Sequence, residues 1–285
     1  MSEVSLLRRV SGQGVRLLRW VLVGYLLVVL AMTMIERWLV YPAPPVARNN
    51  WTPAGGEHED VWIESGGGVR VHGWYYHLEG ASRAVLYCHG NGEQVADNHV
   101  RMRMLRDRLD ASVLIFDYRG YGKSDGKPHE RGVIADGRAA QRWLAERTGR
   151  APEGVVIVGR SLGGGVATAL AAELGAEALV LESTFTRLTD AAASHYPWLP
   201  VRLVMRNRYN SLKRIAEYRG PVWISHGDRD RVVPFSHAGR LFQASPSDRK
   251  KLVELPGRGH DELPHKGYYS ELRSFLDSPI SETTE

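Results

Sequence analysis

The sequence predicts an α/β fold in which a mostly parallel central sheet carries helices on both faces, and three observations point there. From about residue 84 to residue 277, short apolar runs alternate with helical stretches, strand then helix, along the chain. One run, Val155 to Gly159, has no polar alternation and so reads as a strand buried on both sides. It breaks into glycines around a single serine, Gly159-Arg160-Ser161-Leu162-Gly163, before a helix resumes.

Residues 1–19 carry Arg8, Arg9, Arg16 and Arg19 against Glu3 alone, whereas Trp20 to Ile35 holds no charge over 16 residues. Leu17 and Leu18 extend that run and Arg19 can snorkel, so residues 20–40 read as an uncleaved transmembrane signal anchor. Trp20 and Trp38 stand 18 positions apart, about 27 Å of helix, enough to set one ring near each interface of a hydrocarbon core about 30 Å thick. No convincing small-x-small site follows, and a cleaved signal peptide is the rival reading. Because the positive charge precedes the span, residues 1–19 are expected in the cytoplasm and the rest across the membrane, in the periplasm if the cell is Gram-negative.

Residues 41–59 form a linker stiffened by Pro42, Pro44 and Pro45. The main domain, 60–277, opens with an antiparallel edge hairpin, Val61 to Glu64 and Val69 to His77, turned by Gly66-Gly67-Gly68. Strands follow at Ala84 to Cys88, Ser112 to Asp117, Val155 to Gly159, Glu177 to Leu181, Pro221 to Ser225 and Lys250 to Leu255. Helices are expected at about 94–109, 131–147, 162–174, 235–244 and 266–277, with a polar tail at 278–285. Residues 184–219 far exceed a usual connection of about 2–6 residues. Their aromatic and apolar stretch, Tyr196 to Pro200, and seven basic residues against two acidic ones suggest a small cap, with a solvated helical insert as the alternative.

A chain of 285 residues with 43% hydrophobic content can bury one large core. Its net charge of +5 is spread along the sequence, which gives no nucleic-acid signature. Cys88 has no second cysteine to pair with and reads as a small buried residue. No zinc-type spacing or phosphate loop is present, and no metal or organic cofactor is expected.

The Gly-x-Ser-x-Gly turn is the pattern that lifts a nucleophilic serine hydroxyl above a sheet, which makes Ser161 the candidate nucleophile. At Gly159 and Gly163 a β-carbon would collide with neighbouring backbone in so tight a turn. Three glycines opening a helix, Gly163 to Gly165, cost roughly 1 kcal/mol each relative to alanine, so close packing against the sheet must require them. In an open parallel sheet function gathers outside the carboxyl ends of the strands. After the first of these strands comes His89-Gly90-Asn91-Gly92, and the N–H groups of Asn91 and Leu162 are the expected oxyanion hole. After Pro221 to Ser225 come Asp228 and Asp230; Asp230 is preferred because Val232, Val233 and Pro234 fold the loop back towards the sheet. After the last strand, His260 follows Gly259 in a loop free to reach Ser161, whereas His265 opens the final helix. His99, His129, His195 and His237 read as surface or packing residues.

The chain order Ser161, Asp230, His260 differs from those of trypsin-like and subtilisin-like enzymes and matches that of α/β-hydrolases. With His89-Gly90-Asn91-Gly92, Asp117-Tyr118-Arg119-Gly120-Tyr121-Gly122-Lys123-Ser124, Gly159 to Gly164 and Gly259-His260-Asp261, residues 60–277 resemble that superfamily. Within it they resemble the membrane-anchored bud-emergence type of serine hydrolase, and are similar to the serine aminopeptidase domain grouping. The resemblance implies a signal anchor, a Ser-Asp-His triad and hydrolysis of an acyl bond. In the tract from Asp117 to Ser124 the expected role is structural, with Asp117 and Arg119 paired beneath the site. The function expected is hydrolysis of an ester or thioester in a lipid-like, small acylated or acyl-protein substrate. A serine peptidase and a non-catalytic membrane-tethered binding domain are the alternatives.

Overall fold

The computed structural model describes residues 3–53, 56–262, 265 and 267–278, with side chains from residue 14 onward, around one eight-stranded sheet. Its strands are β1 (Glu59–Ser65), β2 (Val69–Tyr76), β3 (Arg83–Cys88), β4 (Ala111–Phe116), β5 (Val156–Arg160), β6 (Ala178–Glu182), β7 (Val222–Gly227) and β8 (Lys250–Leu255). They lie in the order β1-β2-β4-β3-β5-β6-β7-β8. β1 and β2 are antiparallel, as is the pairing of β2 with β4, and the remaining strands run parallel. Every residue of β3 to β7 is buried, because helices cover both faces and leave no side to solvent. At one edge, β1 alternates, turning Val61, Ile63 and Ser65 inward.

The helices are α1 (Glu3–Val40), α2 (His99–Leu109), α3 (Glu130–Arg147), α4 (Leu162–Leu174), the cap helices α5 (Leu188–His195), α6 (Val201–Val204) and α7 (Ser211–Ile215), then α8 (Ser236–Ala244) and α9 (Tyr268–Asp277). Val133 of α3, Val166 of α4 and Leu241 of α8 pack on one face of the sheet, in the same core as Val40. Met102 and Leu105 of α2 pack with Leu272 of α9 on the other. Predicted and observed boundaries agree closely except at α2, whose first turn is a separate 3₁₀ turn, Val95–Asn98, capped reciprocally by Gln94 and Asp97. The final predicted helix begins at Tyr268; Lys266 and residues 279–285 of the predicted tail lie outside the described residues.

Two glycines at the start of α4 are explained by contact. A β-carbon on Gly163 would enter the carbonyl of Cys88, and one on Gly164 would enter the side chain of Thr184. The helix therefore sits closer to β3 and to the loop after β6 than any other residue type would allow.

The N-terminal helix differs most from a simple tether. Its stretch Gly14–Val40 is long and apolar enough to cross a membrane, and α1 runs unbroken from Glu3. Residues 14–28 are exposed, but Val29, Met32, Thr33, Glu36 and Val40 recur at helical spacing on one face and are half-buried or buried. The Glu36 carboxylate accepts hydrogen bonds from the Arg206 N–H (3.0 Å), the Asn207 N–H (2.8 Å) and Asn207 Nδ2 (2.8 Å). Just beyond the helix, the buried Tyr41 hydroxyl donates to Asn207 Oδ1 at 2.8 Å. The helix end is thus bolted to the loop between α6 and α7.

The expected pairing of Asp117 with Arg119 is not formed. Arg119 instead grips Asp136 on α3, with Nη2 2.7 Å from Oδ1, Nε 3.0 Å from Oδ2 and its own backbone N–H 2.9 Å from Oδ2. Ser65 Oγ donates to the same carboxylate at 2.6 Å. Asp117 is occupied elsewhere, accepting from the Val95 N–H at 2.9 Å and so fixing the start of the 3₁₀ turn. Removing one partner of a buried ion pair strands the other charge and costs about 3–5 kcal/mol. Asp136→Ala should lose about that much stability in urea unfolding, and a loss below about 1 kcal/mol would show that the Arg119 cluster does not hold β1 to α3.

Candidate active site

Ser161 sits between β5 and α4 with φ +52° and ψ −117°, a conformation that a non-glycine residue adopts at a cost of order 1–3 kcal/mol. Three bonds hold it there. The Ser161 N–H donates to the Glu182 carbonyl at 3.0 Å, while its own carbonyl accepts from Thr184 Oγ1 at 2.7 Å and from the Gly164 N–H at 3.0 Å. The turn projects the hydroxyl out of the strand towards the loop after β8.

There His260 Nε2 stands 3.0 Å from Ser161 Oγ, and His260 Nδ1 stands 2.7 Å from Asp230 Oδ2. Three of the predicted site residues are therefore in one hydrogen-bonded line. The other carboxylate oxygen of Asp230 accepts from the N–H groups of Val232 and Val233, both at 2.8 Å, so the loop folds back on its own aspartate. His226 Nε2 donates to the Val233 carbonyl at 2.8 Å and lies 3.1 Å from Asp230 Oδ2. Asp228, the rival candidate, is exposed and accepts from the Gly257 N–H at 2.6 Å, which ties the β7 loop to the β8 loop.

Asn91 and Leu162 line the same cavity as Ser161. Leu162 is the first residue of α4, where a backbone N–H has no acceptor within the helix. The loop carrying Asn91 is held by two tyrosines. Tyr118 Oη donates to the His89 carbonyl at 2.7 Å, and Tyr121 Oη donates to the Asn91 carbonyl at 2.9 Å. This is what the Asp117 to Ser124 tract contributes, and the sequence reading assigned neither tyrosine that task.

Arg160 was also missed. Its guanidinium, only 6% exposed, meets Glu93, donates to the His260 carbonyl at 2.8 Å and donates to Asp261 Oδ1 at 2.7 Å. A residue fixed at the end of β5 thereby clamps the loop that carries the histidine. The available signal was a positive charge set between the motif glycine and Ser161, in a strand otherwise apolar. Of the histidines set aside, His129 caps α3, accepting from the Gly132 N–H at 3.1 Å, and His237 is buried against Thr186. His99 lies 3.0 Å from the Tyr76 hydroxyl, and His265 faces Glu271 at 4.0 Å. His195, in contrast, lines the cavity above Ser161, with Nε2 donating to the Val232 carbonyl at 2.8 Å.

The cavity above Ser161 has a volume of about 240 Å³ and is mainly apolar, walled by Phe185, Leu188 and Leu199 of the cap region and by Val29, Met32 and Leu39 of α1. Ser161 also borders a second cavity whose lining includes the charged or polar side chains of His260, Arg160, Glu93 and Arg48. One hydroxyl therefore sits at the junction of a mainly apolar chamber and one with charged groups in its wall. Among the described residues, no group of three or more His, Cys, Asp or Glu side chains is arranged to hold a metal ion.

A profile of the alpha/beta hydrolase fold matches residues 83–209. The chain is 32% identical over 222 residues to the alpha/beta hydrolase domain-containing protein WAV2 of Arabidopsis thaliana, covering 71% of this chain and 72% of that protein. It is 33% identical over 236 residues to the lysophosphatidylserine lipase ABHD12 of Danio rerio, covering 72% of this chain and 61% of that one. Among solved structures, an esterase of Pyrococcus furiosus superposes with a TM-score of 0.65 at 23% identity, over 82% of this chain and 95% of the esterase.

Burial alone would raise the Asp230 carboxyl, but hydrogen bonds from His226 and His260, the charge of His260 and the Val233 N–H outweigh it and hold the group well below the usual carboxylate range. A depressed folded pKa stabilises the fold at every pH above the unfolded value of about 3.9, and that contribution fades as pH falls from there towards the folded pKa. Unfolding free energy measured from pH 6 to pH 2 should therefore drop more steeply below about pH 4 in the wild type than in Asp230→Asn. Parallel curves would mean that Asp230 carries no such linkage.

Proposed function

The chain belongs to the alpha/beta hydrolase fold family, and we propose that it is a membrane-anchored serine hydrolase cleaving an acyl ester or thioester. The observation that carries this reading is the line Ser161–His260–Asp230, at 3.0 and 2.7 Å, opening on an apolar cavity. His260 Nε2 takes the proton of Ser161 as Oγ attacks the acyl carbonyl carbon, and Asp230 fixes the ring tautomer and stabilises the imidazolium. The oxyanion is received by the N–H groups of Leu162 and Asn91; such a donor is worth about 10²–10³ in turnover. The tetrahedral adduct collapses by breaking the bond to the leaving alcohol or thiol, to which His260 returns the proton. Water then gives its proton to His260, attacks the acyl-serine, and the acid departs as Ser161 regains its hydrogen.

The apolar chamber suits the acyl chain, and the charged side chains of Arg48, Glu93 and Arg160 in the wall of the second chamber suit a polar leaving group. The lipase and esterase names among the similar proteins support an ester or lipid substrate. The finer likeness to the membrane-anchored bud-emergence type rests on the motifs around Ser161 and His260 and on the apolar N-terminal helix. With Arg8, Arg9, Arg16 and Arg19 preceding the apolar stretch, the N-terminus stays in the cytoplasm and the hydrolase domain lies across the membrane.

Ser161→Ala should lose labelling by a fluorophosphonate probe and lower hydrolysis of p-nitrophenyl esters by at least about 10³-fold. Labelling or hydrolysis at the wild-type level would overturn the assignment. A reporter fused at the C-terminus that is active only on the cytoplasmic side should be silent if the topology is right.

A further inference from the structure

We propose that α1 is a wall of the acyl-binding site as well as an anchor, so that a long-chain acyl ester reaches Ser161 sideways out of the bilayer, along this helix. The inference rests on the serine hydrolase reading of Ser161. One side of the apolar cavity is supplied by Val29, Met32, Leu39 and Val40, and the facing side by Leu188 and Leu199 of the cap, with Ser161 in the lining. From Val29 to Val40 the helix presents roughly 16 Å of wall at 1.5 Å per residue.

The helix is seated by groups that a mere tether would not bury. Glu36 is 6% exposed in the middle of the apolar stripe, and backbone and side-chain N–H groups of Arg206 and Asn207 satisfy its carboxylate. An unpaired carboxylate there would be costly, so the helix and the cap are matched to each other. Asn91 Nδ2 donates to the Val40 carbonyl at 3.2 Å, which connects the last turn of α1 to the loop expected to bind the oxyanion.

The wall also continues towards the membrane. Leu22 and Leu26 precede Val29 by seven and three positions, on the same helical face, and are exposed. Next to Leu26, Tyr25 Oη donates to the carbonyl of Trp198 in the cap at 2.9 Å, and the cap exposes Trp198 and, further along, Leu203. An exposed apolar surface of this kind, contiguous with a helix apolar enough to cross a membrane, is covered by acyl chains of the bilayer. Those same chains then border the open end of the cavity.

The full-length protein in phosphatidylcholine vesicles provides the test, with kcat/KM measured for p-nitrophenyl esters from acetate through decanoate to palmitate. Met32→Trp should lower the decanoate-to-acetate ratio at least tenfold, Met32→Ala should move the optimum to a longer chain, and Leu27→Trp, on the opposite exposed face, should leave the ratio within twofold. Ratios unchanged in both Met32 variants, with fluorophosphonate labelling of Ser161 retained, would overturn the wall while leaving the hydrolase intact. A wild-type protein that takes no probe and cleaves neither ester would overturn the hydrolase reading itself, and the wall with it.

Discussion

The backbone of Ser161 is the constraint on which the rest of the architecture depends. A serine at φ +52° is tolerable only where its surroundings leave it no alternative. Here they do so from three directions: the Glu182 carbonyl takes its N–H, Thr184 takes its carbonyl, and α4 presses in behind it. That approach of α4 is possible because Gly163 and Gly164 present hydrogen where any side chain would meet Cys88 or Thr184. The poor helix propensity of three successive glycines is the local cost of a turn that the parallel sheet, buried on both faces, keeps rigid.

Once the hydroxyl is fixed, the remaining difficulty is to bring loops from distant strand ends to it. Charge does this work. Asp230 gathers Val232, Val233, His226 and His260 around one carboxylate, and Arg160 binds the backbone of His260 from the other side. The imidazole is therefore held both through its ring, by the loop after β7, and through its main chain, by the end of β5. Tyr118 and Tyr121 do the equivalent for the loop of Asn91, using neutral hydrogen bonds to carbonyls.

How much of this was legible in the sequence follows from where each interaction lies. The sheet and the meeting of Ser161, Asp230 and His260 were legible because buried strands are continuous apolar runs and the loops at their carboxyl ends must share one edge. Arg119 and Asp136 were not, since the partner comes from a helix facing the tract and Asp117 was the nearer acid in the chain. Arg160 escaped because a motif position written as any residue hides the one that happens to bind. The docking of α1 was illegible for a different reason: a stripe that packs on protein cannot be told from its neighbours inside a segment apolar all round. Glu36 and Arg37 are the charges within residues 20–40, and charge at the end of a span reads as ordinary.

The continuity of α1 has a mechanical consequence. A helix that runs from Glu3 to Val40 without a break, and is pinned at its far end by Glu36 and Tyr41, behaves as a strut with no hinge between its apolar length and the folded domain. Where such a strut crosses a bilayer, the mouth above Ser161 keeps a constant height and tilt relative to the lipid headgroups. On the function proposed above, a hydrolase held in this way would meet its substrate by lateral diffusion in one leaflet instead of by concentration in the surrounding water.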